Sequence, residues 1–260
     1  MIAIKGAGEM ASAVAWRLHR AHLRRVFLLE LPQPLAVRRR VSFSEALHHG
    51  HHTVEGVTAS RVTRAGAIDE AWAHDEIAVL ADPSWDAIRT RRPHIVIDAI
   101  LAKRNLGTRR AEAPFVIALG PGFTAGHDCH VVVGTNRGHN LGRVYTSGSD
   151  EPNTGIPGDI SGYTHERVLR APADGRFVTT LDIGATVAPG EVVGAVGEMP
   201  VVARIEGMVR GLLRNGTPVG TGMKIGDIDP RGRLTEVDAI SDKGRAIAGG
   251  VLEAVLADFL

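Results

Sequence analysis

The stretch Ile2-Ala3-Ile4-Lys5-Gly6-Ala7-Gly8-Glu9-Met10-Ala11 decides how the chain begins to fold. Its apolar start predicts a buried strand, its glycines predict a turn, and the apolar residues that follow recur at helical spacing. A second apolar run, residues 26–29, ends on Glu30. Strand, helix and strand over about 30 residues form a βαβ unit, which predicts an N-terminal Rossmann-like parallel sheet in an α/β protein.

The turn in this stretch carries a glycine fingerprint, Gly6-x-Gly8-x-x-Ala11. In that fingerprint the first glycine makes the turn, the second lets the backbone approach a pyrophosphate, and the third small residue packs helix on strand. Amides at the helix N-terminus would bind the anion, and Glu30 lies where an acidic side chain usually takes ribose hydroxyls. We therefore predict a nucleotide-binding or cofactor-binding loop, with a loop that only packs as the alternative.

Composition and charge exclude several classes of protein. Thirty Lys and Arg against 29 Asp and Glu leave a formal net charge of +1, which argues against nucleic acid or anionic lipid as partner. The single cysteine, Cys129, fits a reducing compartment, and no run approaches the roughly 20 apolar residues of a membrane span. The histidines around Gly50 have no carboxylate or cysteine at zinc-site spacing, so we predict no metal. We expect a cytoplasmic homo-oligomer.

Further apolar runs extend the sheet. β-rich runs occur at residues 77–80, 94–97, 115–119 and 131–133, before Gly and Pro become dense. We therefore place a Rossmann-like nucleotide- or cofactor-binding domain at 1–148 and a Gly/Pro-rich linker at 149–165.

A repeat with an offset of 32 residues follows the linker. Gly175, Gly184, Gly190 and Gly194 recur as Gly207, Gly216, Gly222 and Gly226. Two interlocked copies predict a β-sandwich over 166–232 that resembles biotinyl and lipoyl carrier domains, a barrel-sandwich hybrid. The joint between the copies holds no lysine, which argues against covalent carriage. The segment 233–260 carries an amphipathic helix, in which Gly249-Gly250 indicates either close backbone approach or flexibility.

Three more segments offer candidate binding residues. Asp98, Lys103 and Asn105 follow a strand at the edge where open α/β sheets bind ligands, although Lys103 and its neighbour also fit a solvated charge pair. A second glycine loop, at Gly120 and Gly122, fits either an anion-binding nest or a plain tight turn. A third segment places guanidinium groups beside a histidine that can titrate near neutrality, and either a functional or a purely structural histidine fits it. Its candidate residues are Arg137 and His139.

The longer motifs together resemble the YqeB-like family, which is named for selenium-dependent molybdenum hydroxylase systems. The motifs are Gly6-Ala-Gly-Glu-Met10, Asp98-Ala-Ile-Leu-Ala-Lys-Arg-Asn-Leu-Gly-Thr108, Leu119-Gly-Pro-Gly-Phe-Thr-Ala-Gly126, Arg137-Gly-His-Asn-Leu-Gly-Arg143, Asn153-Thr-Gly-Ile-Pro-Gly158 and Lys224-Ile-Gly-Asp-Ile-Asp-Pro-Arg231. Gly134 departs from the pattern, where an acidic residue is expected.

The resemblance implies an accessory or maturation factor for molybdenum hydroxylases. Such a factor would bind molybdenum cofactor, as the molybdopterin dinucleotide, in the glycine-loop cleft and would have a hydroxylase client as partner. Two other functions stay open. One is an NAD(P)-dependent oxidoreductase, with His139 or Lys103 as its acid or base; the other is a non-catalytic interaction module. The sequence assigns no catalytic residue.

Overall fold

The computed structural model of the chain describes residues 1–234 and 236–259, without the side chains of Leu234 and Phe259. The chain forms two compact units. The first comprises Met1–Pro34, Val41–Thr154 and Ile240–Leu260, and the second comprises Leu35–Arg40 and Gly155–Ala239. The C-terminal segment thus lies in the first unit, and a short early segment lies in the second, neither of which a linear division of the chain predicts.

The first unit is built on a nine-stranded sheet. Its strands are β1 (Ile2–Lys5), β2 (Val26–Glu30), β3 (His51–Val54), β4 (Val57–Val62), β5 (Ile77–Ala81), β6 (Ile95–Asp98), β7 (Phe115–Leu119), β8 (Val131–Val133) and β9 (Val144–Tyr145). Their order is β3-β4-β5-β2-β1-β6-β7-β8-β9. The helices are α1 (Glu9–Arg20), α2 (Ala46–His49), α3 (Ile68–Ala73), α4 (Asp86–Arg91) and α5 (Asp242–Phe259).

This sheet is mixed, so the expectation of a Rossmann-like parallel sheet is wrong. Along the sheet order, all strands from β4 to β8, including β1 and β2, run parallel to one another. The two edge strands, β3 and β9, run antiparallel to their neighbours. β3 and β4 are joined by Glu55 and Gly56, both at positive φ, which is the turn of a tight antiparallel hairpin. The connection from β6 to β7 carries only a 3-10 turn, and no described helix joins β7 to β8. α5 instead packs beside α1 on one face of the sheet.

The second unit consists of two four-stranded antiparallel sheets. Its strands are β10 (Val168–Arg170), β11 (Gly175–Val178), β12 (Thr186–Val187), β13 (Val192–Val196), β14 (Met199–Val202), β15 (Gly207–Leu212), β16 (Thr217–Val219) and β17 (Lys224–Asp229). They lie in the orders β10-β17-β15-β12 and β14-β13-β11-β16. The two repeats exchange strands, because β12 of the first joins the sheet of β15, and β16 of the second joins the sheet of β11.

The expected barrel-sandwich hybrid of the biotinyl or lipoyl type is also wrong. Each sheet keeps two edge strands, and no ladder joins one sheet to the other within the described residues. β10 and β14 lie 32 residues apart, as the first strand of each copy, and each forms an edge strand of one sheet. Apolar side chains such as Phe177, Val209 and Ile228 are buried in this unit's core. The unit is therefore an open pair of antiparallel sheets built on a duplicated motif.

No helix in the described parts of the chain is both long and apolar enough to cross a bilayer.

Candidate functional site

Two backbone N–H groups of the first glycine loop donate hydrogen bonds to residues of the same unit. Gly6 donates its N–H to the carbonyl of Leu29 at 2.7 Å, and Ala7 donates to Glu30 Oε2 at 2.8 Å. The other oxygen, Oε1, accepts the N–H of Leu31 at 2.8 Å. Burial raises the pKa of Glu30, although these two backbone donors oppose the shift. Glu30 therefore fixes the loop, and each of its oxygens already accepts a backbone N–H.

A buried segment after β2 covers the same loop. Ser44 donates its N–H to the carbonyl of Ala7 at 2.9 Å, and Phe43 donates its N–H to Ser12 Oγ at 2.7 Å. Phe43 is fully buried, as is Ala11. The structure thus places Gly6 and Ala11 where the fingerprint predicts, and this segment binds the Ala7 carbonyl and the Ser12 hydroxyl, while the space beside Gly8 is open.

A prediction follows for Glu30. Because its folded pKa is raised, its contribution to stability is largest below the unfolded pKa and is lost as the pH rises through the folded pKa. We expect the free energy of unfolding of the wild type to increase relative to that of Glu30→Gln as the pH falls from 7 towards 4.5. Denaturant unfolding across that range, with exposed Glu253→Gln as control, measures the difference. A difference that shrinks with falling pH would contradict it.

Lys5 and Asp98 form a buried polar network at the ends of neighbouring strands. They are directly opposite in the β1–β6 register, and their exposed fractions are 1% and 2%. Lys5 Nζ donates to Thr108 Oγ1 at 2.7 Å and lies 2.7 Å from Glu112 Oε2, while Thr108 Oγ1 donates to Asp98 Oδ2 at 2.6 Å. Burial raises the pKa of Asp98, and the Thr108 hydroxyl partly offsets the shift. The network ties the loop after β6 to the sheet.

Asn105 shapes this loop rather than facing outward as a ligand group. Its Oδ1 accepts the N–H groups of Gly107 and Thr108, both at 2.8 Å, and its Nδ2 donates to the Thr108 carbonyl. Nearby, Leu101 and Lys103 adopt φ values of 58° and 60°. Non-glycine residues in this region carry strain, which persists where surrounding structure holds them. The loop therefore presents Lys103 from a constrained backbone.

The second glycine loop packs tightly against its neighbours. A Cβ on Gly120 would lie 2.5 Å from Thr135 Oγ1, and one on Gly122 would lie 2.5 Å from the Cα of Arg104. Both glycines also have positive φ. This loop therefore links the loop after β6 to the loop after β8, and its glycines are required by close approach.

The loop after β8 is held by two acidic residues. Asp150 Oδ2 accepts the N–H of Thr135 at 2.9 Å and its hydroxyl at 3.3 Å, while Glu151 accepts the amides of Asn136 and Asn140. Those amides hold the pKa of Glu151 below its usual range. Asp150 is buried, and its Oδ1 has no hydrogen-bond partner among the residues that the structure describes. A buried orphan oxygen of this kind indicates a missing donor.

The N-terminal turn of α5 joins these loops. Arg137 forms a bidentate pair with Asp242, at 2.6 and 3.2 Å, and Ser241 Oγ donates to Glu9 Oε1 at 2.9 Å. The next residue, Lys243, is half-buried. Its pKa is lowered by burial first and then by the neighbouring cations Arg137 and Lys103, against the opposing fields of Glu9 and Asp150.

We name the group of Lys103, Arg137, Asp150 and Lys243 the edge cluster. It lies where the loops leave the carboxyl ends of β6 and β8, next to the residues that follow β1. Ligands of open α/β sheets bind outside the carboxyl ends of strands. Sequence reasoning predicted Lys103 and Arg137 but missed Asp150 and Lys243. The one local signal near Lys243 is Ser241, a residue type that caps helices, whose Oγ accepts the N–H of Gly244 at 3.1 Å.

The remaining predicted residues do not form one binding surface. Gly8 lies at the N-cap of α1, Asp98 and Asn105 brace the loop after β6, and His139 is exposed on the loop after β8. In residues 1–234 and 236–259, no group of three His, Cys, Asp or Glu side chains is arranged to hold a metal.

No family model matches the chain. It is 48% identical over 256 residues to the uncharacterized protein YqeB of Escherichia coli (strain K12). The match covers 98% of the chain and 47% of the relative, so the chain spans about half the length of the curated relative that it matches.

Solved structures show only slight likeness to this chain. A succinylglutamate desuccinylase from Silicibacter sp. TM1040 covers 87% of the chain and 84% of its own, at 12% identity and a TM-score of 0.26. A succinylglutamate desuccinylase/aspartoacylase from Rhodobacter sphaeroides covers 25% and 22%, at 22% identity and a TM-score of 0.23. Likeness at this level assigns neither fold nor activity to the chain.

The expectation of a molybdenum hydroxylase maturation factor with a nucleotide-binding Rossmann cleft is wrong. The relative is described as uncharacterized, so the sequence likeness assigns the chain no such role. In the molecule itself, both carboxylate oxygens of Glu30, the residue expected to take ribose hydroxyls, already accept backbone N–H groups.

Proposed function

We propose that the first unit binds a small organic anion at the edge cluster. The observation that carries this proposal is Lys243, a half-buried ammonium with no hydrogen bond or ion pair among the described residues. A buried charge is costly unless it is paired. Arg137 and Lys103 contribute to lowering its pKa, and Arg137 is already paired with Asp242, so a bound anion would supply a counter-charge for Lys103 and Lys243.

Asp150 supports a ligand that also carries a hydrogen-bond donor. Its Oδ2 is occupied by Thr135, whereas the buried Oδ1 accepts nothing within the described part of the chain. A hydroxyl on the ligand, or a water bound with it, would satisfy this oxygen. The expected ligand is thus a small carboxylate or phosphate with a polar substituent, and not an extended dinucleotide.

The surrounding loops fit a preformed site. Gly120 and Gly122 lock the loops together, and the Lys5–Asp98 network anchors the loop that presents Lys103. Binding groups held by such supports lose little freedom when a ligand arrives. Under this proposal Lys103, Arg137 and Lys243 face the ligand, while Asp98, Asn105, Gly120 and Gly122 are the scaffold.

Calorimetric titration at low ionic strength tests the proposal with acetate, succinate, lactate, pyruvate and inorganic phosphate as probes. We expect at least one probe to bind, and we expect Lys243→Met to weaken it about tenfold or more, as loss of one charge-assisted hydrogen bond predicts. Lys224→Met is the matched control, because Lys224 lies in the second unit and is paired with Asp227. Equal affinity in both variants, or no binding by any probe, would reject the edge cluster as an anion site.

A further inference from the structure

A cleft opens in the second unit between the first strands of the two copies. It has a volume of about 440 Å³ and is lined by residues 168–172 of the first copy and by residues 200–202 and 204 of the second. These segments lie 32 residues apart, so matching parts of the two copies face each other across the cleft. Sites for small molecules usually measure roughly 300–1,000 Å³, so the cleft is large enough for a ligand.

Most of the lining is apolar. Leu169, Ala171 and Val201 are buried and belong to the core of this unit, so the cleft reaches that core. Pro200 and Val202 add apolar surface that is open to solvent. Apolar surface of this kind gains free energy when a ligand removes it from water. An occupant of the cleft should therefore have an apolar part.

The charged residues of the lining are all basic. Arg170, Arg204 and His165 line the cleft, and no Asp or Glu does. Arg170 donates one hydrogen bond, from Nη1 to the carbonyl of Gly222 at 2.9 Å. The side chains of Arg204 and His165 have no hydrogen bond or ion pair among the residues that the structure describes. The lining thus has positive charge and donors to offer to an anion.

The nearest acidic side chain does not neutralise this charge. Glu166 is exposed, and its Oε2 accepts the N–H of Thr164 at 3.0 Å. Backbone hydrogen bonds lower the pKa of Glu166 most, and the fields of His165 and Arg204 add to the shift, but neither of these two residues forms an ion pair with it. A ligand would therefore find both cations available.

The spacing of the two strands argues against a peptide as the occupant. β10 and β14 are edge strands, and their Cα atoms approach each other to within 8 Å. A strand inserted between them would need about 9.6 Å, which is twice the usual strand spacing of about 4.8 Å. Strand addition between these two edges is thus excluded, and a compact small molecule is favoured.

We propose that this cleft binds a small amphipathic anion, in which a carboxylate or phosphate head carries an apolar chain or ring. The guanidinium groups of Arg170 and Arg204 bind the head, since their fork of donors matches both kinds of anion. The apolar body lies against Leu169, Val201 and Val202. This inference goes beyond the edge cluster, which lies in the other unit.

Calorimetric titration of the full chain with four probes separates the two parts of the ligand. Octanoate and octyl phosphate have both a charged head and an apolar body, whereas acetate has only the head and octanol only the body. We expect at least one of the octyl anions to bind about tenfold or more tightly than acetate and octanol. The two octyl anions also show whether carboxylate or phosphate is preferred. Octanol binding as tightly as both, or no binding by either anion, would overturn the proposal.

Two pairs of variants locate the bound octyl anion. We expect Arg204→Gln to weaken it about tenfold, and Arg176→Gln, at an exposed position of β11 outside the cleft, to leave it unchanged. Val202→Glu adds a carboxylate to the lining and should abolish binding. Val192→Glu, at the exposed residue opposite Val202 in the β13–β14 register, should not. Binding that is lost in Lys243→Met but kept in Arg204→Gln and Val202→Glu would place the anion at the edge cluster and reject the cleft.

Discussion

Gly250→Ala is expected to destabilise the protein by at least about 2–3 kcal/mol, the range for forcing extra atoms into a packed core. A Cβ at this position would lie 2.0 Å from the carbonyl oxygen of Gly142 and 3.0 Å from Val133 Cγ1. Backbone occupies the space, so no side-chain rotation relieves the clash. The helix must shift away from the loop after β8, and that loop carries Arg137. Chemical denaturation measures the loss.

Gly249→Ala is the matched control in the same helix. No atom lies within 4 Å of a Cβ built there, and glycine in a helix interior costs up to about 1 kcal/mol relative to alanine. We therefore expect this variant to be as stable as the wild type or slightly more stable. If both variants lost the same stability, helix propensity or flexibility would explain the Gly249-Gly250 pair, rather than the close approach of the helix backbone to Gly142. The sequence left both explanations open, and the crossing of Gly142 and Gly250 favours close approach.

Local patterns predicted much of the first sheet. β1, β2, β5, β6, β7 and β8 lie where the apolar runs place them, because a buried parallel strand reads as a short run of apolar residues. The alternating residues of β3 carry no such run, since its histidines are exposed or half-buried. The hairpin of β3 and β4 was therefore missed, and with it the mixed character of the sheet.

The candidate site was harder to predict because its parts meet only in three dimensions. Lys103 and Arg137 stand on loops that follow strands, which the rule for strand ends identifies. Lys243 follows β8 by more than a hundred residues, and no local pattern predicts that α5 returns to the first unit. Glu30 shows the opposite case: its position was predicted, but its partners were decided by the distance to Ala7 and Leu31.

The duplicated motif of the second unit shows what a repeat can and cannot predict. Equal spacing of glycines marked two copies, and the structure has matching strands at each. The exchange of β12 and β16 between the sheets follows from burial, because each copy alone leaves its apolar face uncovered. The first strands of the copies, β10 and β14, also lie 32 residues apart, but they contain none of the repeated glycines that marked the copies.

Lys5→Met is expected to destabilise the chain by about 3–5 kcal/mol, the usual cost of removing one partner of a buried ion pair. Methionine fills most of the space of lysine, so the loss is mainly electrostatic. It would leave the Glu112 carboxylate without its buried cation and the Thr108 hydroxyl without its donor, beside the buried Asp98. Lys224→Met, which removes a more exposed cation from the second unit, should cost about 1 kcal/mol or less.

The pH dependence of Lys5→Met identifies the cause of its instability. Without the ammonium, the folded-state pKa of Asp98 should rise further, because the nearby Lys5 cation favours its ionised form. A raised folded pKa means that stability is gained as the pH falls, so the deficit of Lys5→Met against the wild type should shrink between pH 7 and pH 4. A double variant, Lys5→Met with Asp98→Asn, should recover part of the loss at neutral pH. A deficit independent of pH would show that Lys5 contributes by packing, and the loop after β6 would then owe its position to Asn105 and Gly122 instead.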